Sequence, residues 1–345
     1  MTRLTRADLD ALPAYVAGRT VPGAIKLASN EVPYGPLPGV VDAVAASITG
    51  AHRYPDPGAT ALRAALSDRL GVDPDRIATG CGSVALTEHL FRTTCLPGDE
   101  AIYAWRSFEA YPIIAATSGA TSVRVPNTGT HGHDLPAMAA AITDKTRLVI
   151  VCNPNNPTGT AVGKAELDAF LDAVPPTVLV ALDEAYREFV TDPDVPDGIA
   201  TYGDRPNVVV LRTLSKAWGL AGLRVGYLVG SPEVAAAVRK VVTPFSTSAT
   251  AQAAALAALQ ASDEMQRRVD LITAERERVV SAVRKVYPDV PDTQSNFFWL
   301  PLGDAATDFA AKCEESGVIV RAFAGDGVRV TISSPGENDA FLDCV

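Results

Sequence analysis

Lys216 sits in the stretch of this chain whose residue types most suggest chemistry. It follows the hydroxyls of Thr213 and Ser215 and precedes Arg224, with only small and apolar residues in the run Ala217-Trp218-Gly219-Leu220-Ala221-Gly222-Leu223. An amine withdrawn from water loses basicity and becomes able to form a Schiff base, while nearby hydroxyls and a guanidinium can build an anion pocket beside it. Two further segments supply polar groups, Asn153-Pro154-Asn155-Asn156-Pro157-Thr158-Gly159 and Asp183-Glu184-Ala185-Tyr186. A third, Thr79-Gly80-Cys81-Gly82-Ser83-Val84, offers glycines for close backbone approach ahead of a helix, a form of phosphate cradle. Taken singly, each segment also has an ordinary reading as a turn, a helix N-cap or a solvated lysine.

The elements that must position these groups are short apolar runs. Residues 147–152, 177–182 and 207–211 read as buried strands, and 164–174 reads as a helix between the first two. Such strands joined by long crossovers predict a mostly parallel sheet between helices, with ligands at the carboxyl ends of the strands. That rule places 153–159, 183–186 and 213–216 side by side. Residues 1–38, rich in Pro, Gly and Asn, read as an arm that packs outside its own core, and 39–248 as the large sheet domain. Residues 249–345 read as a smaller α+β domain, with helices over 249–261, 264–286 and 307–315 and strands over 296–300, 318–321 and 327–332.

The chain has 345 residues, enough for about two domains, and its 47% hydrophobic and 20% charged content is that of a folded protein. A net charge of −10 disfavours broad contact with nucleic acid or anionic membranes. No secretory leader or long apolar run is visible, and Cys81, Cys95, Cys152, Cys313 and Cys344 lack metal-ligand or disulfide spacing. These features predict reduced thiols and a cytoplasmic location. His131-Gly132-His133 has no partner at metal-ligand spacing and reads as a surface loop, so no metal is expected. No internal repeat is present.

Together, the order and spacing of Asn156, Asp183, Tyr186, Lys216 and Arg224 resemble the pyridoxal-phosphate-dependent aminotransferases of fold type I, in the branch of histidinol-phosphate and aromatic amino-acid aminotransferases. The resemblance runs from residues 27–36 (LASNEVPYGP) to 327–332 (GVRVTI), nearly the whole chain. It implies the cofactor pyridoxal 5'-phosphate, held covalently by Lys216, which later moves a proton. By the same resemblance Asp183 keeps the cofactor's ring nitrogen protonated, Tyr186 and Asn156 bond its phenolic oxygen, and Phe108 stacks on the ring. Gly82, Ser83, Val84, Thr213, Ser215 and Arg224 would hold the phosphate, joined by Tyr54 from a neighbouring subunit, so a homodimer with shared sites is implied. Asn30, Asn156 and Arg329 match substrate-holding positions, with Arg329 on the α-carboxylate, and Tyr15 is placed to close over the substrate.

The resemblance implies transamination of phenylalanine, tyrosine and tryptophan with 2-oxoglutarate. Val32 makes the arm less polar than the Asn-Glu-Asn-Pro typical of histidinol-phosphate enzymes, and the run 105–109 (WRSFE) looks like the aromatic branch. Arg106, where related enzymes usually have proline, keeps histidinol phosphate as the alternative donor. Decarboxylation and β-elimination use the same scaffold and are separated only by their products, whereas a cofactor-sensing regulator would need a DNA-binding domain that the arm is too short to hold.

Overall fold

The structure, a computed structural model, describes residues 4–5, 9–10, 12 and 18–345. Its strands are β1 (Ile25–Lys26), β2 (Ile77–Gly80), β3 (Glu100–Trp105), β4 (Thr121–Pro126), β5 (Thr146–Cys152) and β6 (Leu179–Asp183). They continue as β7 (Val208–Thr213), β8 (Gly226–Val229), β9 (Phe297–Leu300), β10 (Val318–Ile319), β11 (Arg321–Phe323) and β12 (Gly327–Thr331). Seven of them form the central sheet in the order β2-β8-β7-β6-β5-β3-β4. β8 alone runs antiparallel to its two neighbours, and the other pairs are parallel.

Strand periodicity explains why this sheet is buried on both faces. Successive side chains point to opposite sides, so Val149 and Val151 of β5, Val180 and Leu182 of β6, and Val208 and Val210 of β7 enter one core. Their neighbours Leu148 and Ile150, Leu179 and Ala181, and Val209 and Leu211 enter a second core across the sheet. With both faces apolar, the strands read as continuous hydrophobic runs, the pattern of a parallel sheet covered by helices. This is the expected α/β arrangement, a mostly parallel sheet between helices.

The C-terminal part carries a three-stranded antiparallel sheet in the order β11-β12-β9. Against it pack the helices Ala306–Glu315 and Pro335–Leu342, the latter opened by a capping box between Ser334 and Glu337. The long helix Ser262–Val283 buries Met265, Val269, Ile272, Val279, Val280 and Val283 along one stripe. It stops short of the expected 286 as the chain approaches Pro288, which disfavours helix at the residue before it. The expected strand over 318–321 is two strands, because its ends pair with different partners. Val318–Ile319 joins β1 of the arm in parallel, and Arg321–Phe323 joins β12.

The loop at 131–133 is less exposed than its composition suggests. His131 and His133 are both half-buried, and His133 donates from Nε2 to the Cys152 carbonyl at 2.8 Å. Burial pulls the imidazole of His133 down to about 4, so it stays neutral. The five cysteines are free thiols, all but Cys81 buried. No helix among the described residues is long and apolar enough to cross a membrane.

Candidate active site

The carboxyl ends of β3, β5, β6 and β7 are neighbours in the sheet, and a cavity of about 220 Å3 opens over them. Phe108 reaches it from the loop after β3, Asn156 from the loop after β5, Asp183 and Tyr186 from the end of β6, and Thr213, Ser215 and Lys216 from the end of β7. The arm contributes Ala28, Ser29 and Asn30, and the small sheet contributes Arg321, Phe323 and Arg329.

Lys216 donates from Nζ to the Ser29 carbonyl at 3.0 Å. Burial, aided by the positive charge of Arg329, pushes its amine down to about 7. An amine in that state is neutral in a large fraction of molecules at neutral pH, which is the condition for nucleophilic attack and for carrying a proton.

Asp183 is the acidic counterpart. Its carboxyl is fully buried and its pKa is raised by that burial, opposed first by a hydrogen bond from Tyr111. The Tyr111 hydroxyl donates to Oδ2 at 2.6 Å. Oδ1 is buried and accepts no hydrogen bond of ordinary geometry, the nearby Ala185 amide offsetting the burial only weakly. A buried carboxylate oxygen left in that condition is costly, and a protonated ring nitrogen in the cavity would satisfy it.

An anion cradle lies on the other side of Lys216. The helix Gly82–Thr94 begins where β2 ends, and its first turn brings Ser83 and Val84 to the cavity. Gly82 itself does not line the cavity. Its φ of +78° is one that glycine adopts without strain, and a Cβ there would collide with the Arg224 guanidinium. Gly226 pairs with both Gly80 and Thr213, and a Cβ on it would strike the Ser83 amide. The two glycines thus let the helix N-terminus, β8 and Arg224 converge. Arg224 donates to Ser215 Oγ at 3.0 Å and to the Ala221 carbonyl at 3.0 Å, while Thr213 Oγ1 accepts from the Ser215 amide at 3.1 Å. Helix amides, hydroxyls and a guanidinium together suit a phosphate group.

Arg329 occupies the opposite wall, donating to Asn156 Oδ1 and to the Ala28 carbonyl, each at 2.6 Å. Asn30, expected to hold substrate, donates to the Tyr186 hydroxyl at 2.9 Å and so fixes that phenol. Burial raises the pKa of Tyr186, keeping it a neutral donor. Tyr54 lies away from the cavity, 81% exposed and stacked on Phe245 at 4.4 Å between ring centroids. Tyr15 lies outside the described residues.

Residues that sequence reasoning missed are Tyr111, Glu109, Arg321 and Phe323. Tyr111 stands three positions after Phe108, one helical turn on, and packs edge-on against it. Arg106, suspected of reaching a phosphate, pairs with Asp326 instead, lies over the rings of Trp105 and Phe323, and does not line the cavity. Among the described residues no group of three or more His, Cys, Asp or Glu side chains is placed to hold a metal ion.

Comparison with known proteins identifies the family. The model of the family "Aminotransferase class I and II" matches residues 22–345. The chain is 57% identical over 341 residues to an aromatic amino acid aminotransferase of Streptomyces avermitilis, covering 98% of this chain and 95% of the relative. A relative of the same name from Rhodococcus jostii is 58% identical over 342 residues, covering 99% and 95%. Among solved structures, a histidinol-phosphate aminotransferase of Sinorhizobium meliloti in complex with pyridoxal-5'-phosphate superposes with a TM-score of 0.87 at 28% identity, covering 99% of this chain and 96% of that one. The chain belongs to the class I and II aminotransferases.

Proposed function

We propose that this aminotransferase binds pyridoxal 5'-phosphate and moves the amino group of phenylalanine, tyrosine or tryptophan to 2-oxoglutarate, yielding aromatic 2-oxo acids and glutamate. The observation that carries the reading is the meeting, in one cavity, of a buried amine at Lys216 with a carboxylate at Asp183 whose buried Oδ1 lacks an ordinary hydrogen bond. A cofactor with a basic ring nitrogen at one end and a phosphate at the other fits that pair and the cradle beyond it.

When bound, pyridoxal phosphate supplies the carbon that exchanges an amine for an oxygen and a ring that accepts electrons. Asp183 holds the proton on the ring nitrogen. Tyr186 and Asn156 would bond the phenolic oxygen, Phe108 would cover the ring face, and Ser83, Val84, Thr213, Ser215 and Arg224 would hold the phosphate, with Gly82 making the turn that admits Arg224. Lys216 would anchor the cofactor, and its amine would be the group placed to move the proton at the substrate Cα. Arg329 grips the α-carboxylate as a guanidinium fork, exchanging its bonds to Asn156 and Ala28 for bonds to the ligand.

Phe323 on the cavity wall supports an apolar side-chain slot, and the pairing of Arg106 with Asp326 withdraws the cation that would favour a phosphate-bearing donor. The names of the Streptomyces and Rhodococcus relatives support the same choice. Tyr54, exposed and turned from its own cavity, supports a homodimer in which it reaches the partner's phosphate site. The free thiols support a reducing, cytoplasmic setting.

Amino transfer to 2-oxoglutarate, measured with phenylalanine and histidinol phosphate as competing donors, tests the reading. A higher kcat/KM for phenylalanine is expected, and a preference for histidinol phosphate overturns the substrate assignment. Sedimentation equilibrium tests the dimer.

A further inference from the structure

Three arginines surround one ring on the wall of the cavity. The guanidinium carbons of Arg321, Arg106 and Arg329 lie 5.2, 5.5 and 5.9 Å from the centroid of Phe323. Arg321 and Arg329 are directly opposed across the β11–β12 pair, and both line the cavity. Like charges facing each other across two strands repel, and such a pair calls for a counter-charge.

Glu109 supplies it. Arg321 donates from Nη2 to Glu109 Oε2 at 2.9 Å, across 212 residues of sequence, and both side chains border the cavity. Glu109 directly follows Phe108 and precedes the helix Ala110–Ser118, yet makes no side-chain cap bond to it. Its charge therefore serves Arg321 rather than the helix. Arg106 is matched in the same way by Asp326, outside the cavity lining.

We infer that Glu109 is a specificity residue: by neutralising Arg321 beside Phe323, it favours uncharged aromatic side chains and penalises donors whose side chain carries a phosphate or a carboxylate. The inference rests on the aminotransferase reading above and deepens it. An anionic side chain entering this slot meets the Glu109 carboxylate and must draw Arg321 away from it. The dicarboxylate acceptor bears the same penalty.

The test compares the cofactor-loaded protein with Glu109→Gln and with the double variant Glu109→Gln/Arg321→Gln. In Glu109→Gln, the kcat/KM ratio of aspartate to phenylalanine is expected to rise about tenfold, the effect of removing one like charge a few ångströms from a partly shielded anion. The double variant is expected to lose that gain. Competitive inhibition by succinate against 3-phenylpropionate should shift in the same ratio, a binding readout that does not depend on turnover of either donor. A ratio that stays within about twofold, or falls, in Glu109→Gln overturns the inference. The donor preference of the unsubstituted protein separately tests the functional reading, so the two can fail independently.

Discussion

Tyr111 and Asp183 form a buried phenol–carboxylate pair, with 2.6 Å between the hydroxyl and Oδ2. The phenol pins one oxygen so that the other remains for a ligand, and it favours the ionised carboxylate against a burial that works the other way. Tyr111→Phe removes a bond to a charged group, worth about 1.5–3 kcal/mol. Asp183 then keeps its proton to higher pH, so the acid limb of the kcat/KM profile should move upward by about one to two units. An unmoved limb would limit Tyr111 to packing.

Lys216→Ala should lower turnover by at least ~10³-fold, the scale of a lost proton-transfer group, while the cofactor still binds without a covalent link. Repeated turnover in the variant would remove Lys216 from the mechanism.

The depressed amine also links stability to pH. With a folded value of about 7 against an ordinary 10.5, the unfolded chain binds the additional proton across that interval. Stability from this group is therefore present above about 10.5 and is lost as pH falls through about 7. In cofactor-free protein, Lys216→Met should be the more stable form at pH 6, by at most ~5 kcal/mol. The difference should narrow towards zero near pH 10, as read from denaturant unfolding curves.

Arg329→Ala removes both the charge and the planar fork. The KM values for amino acid and oxo acid should rise together, by something like a hundredfold for the ~3 kcal/mol of a broken charged pair. A rise confined to one of the two would place the common carboxylate grip elsewhere.

Gly226→Ala sets a methyl group against the Ser83 amide, where backbone rather than a side chain must yield. Displacing the start of the helix should cost ~1–3 kcal/mol in stability and weaken retention of pyridoxal phosphate. Melting temperature and cofactor titration measure the two effects, and unchanged retention would show that this helix start is not part of the cradle.

The groups at the ends of β5, β6 and β7 were legible in the sequence because strand and catalytic segment are contiguous. Once the apolar run is recognised, the position of Asp183 or Lys216 at its carboxyl end follows. Glu109 and Arg321 were not legible, since nothing in the periodicity around either residue refers to the other across 212 positions. Tyr111 was hidden differently: a buried aromatic one turn into a helix looks like core, and only the neighbouring carboxylate gives its hydroxyl a use. The division of 318–321 into two strands escaped notice because pattern reports that a segment is extended and does not report which neighbour it joins. His133 looked exposed by composition, and its burial depends on the Cys152 carbonyl, a tertiary contact.

The arm pairing has a consequence for the timing of synthesis. Arg329 meets Ala28 across 301 residues and Asn156 across 173, and Asn30 bonds Thr331 with its backbone amide. On the ribosome, the strand ends bearing Asp183 and Lys216 emerge and can fold while β12 is still untranslated, since domains generally form in order of emergence. During that interval the nascent chain has Lys216 but lacks both the wall that orients an amino acid and the Arg329 charge that helps to depress its amine. A complete substrate wall therefore forms only when β12 has been made and closed onto the arm at residues 27–30, which withholds the chemistry from unfinished chains.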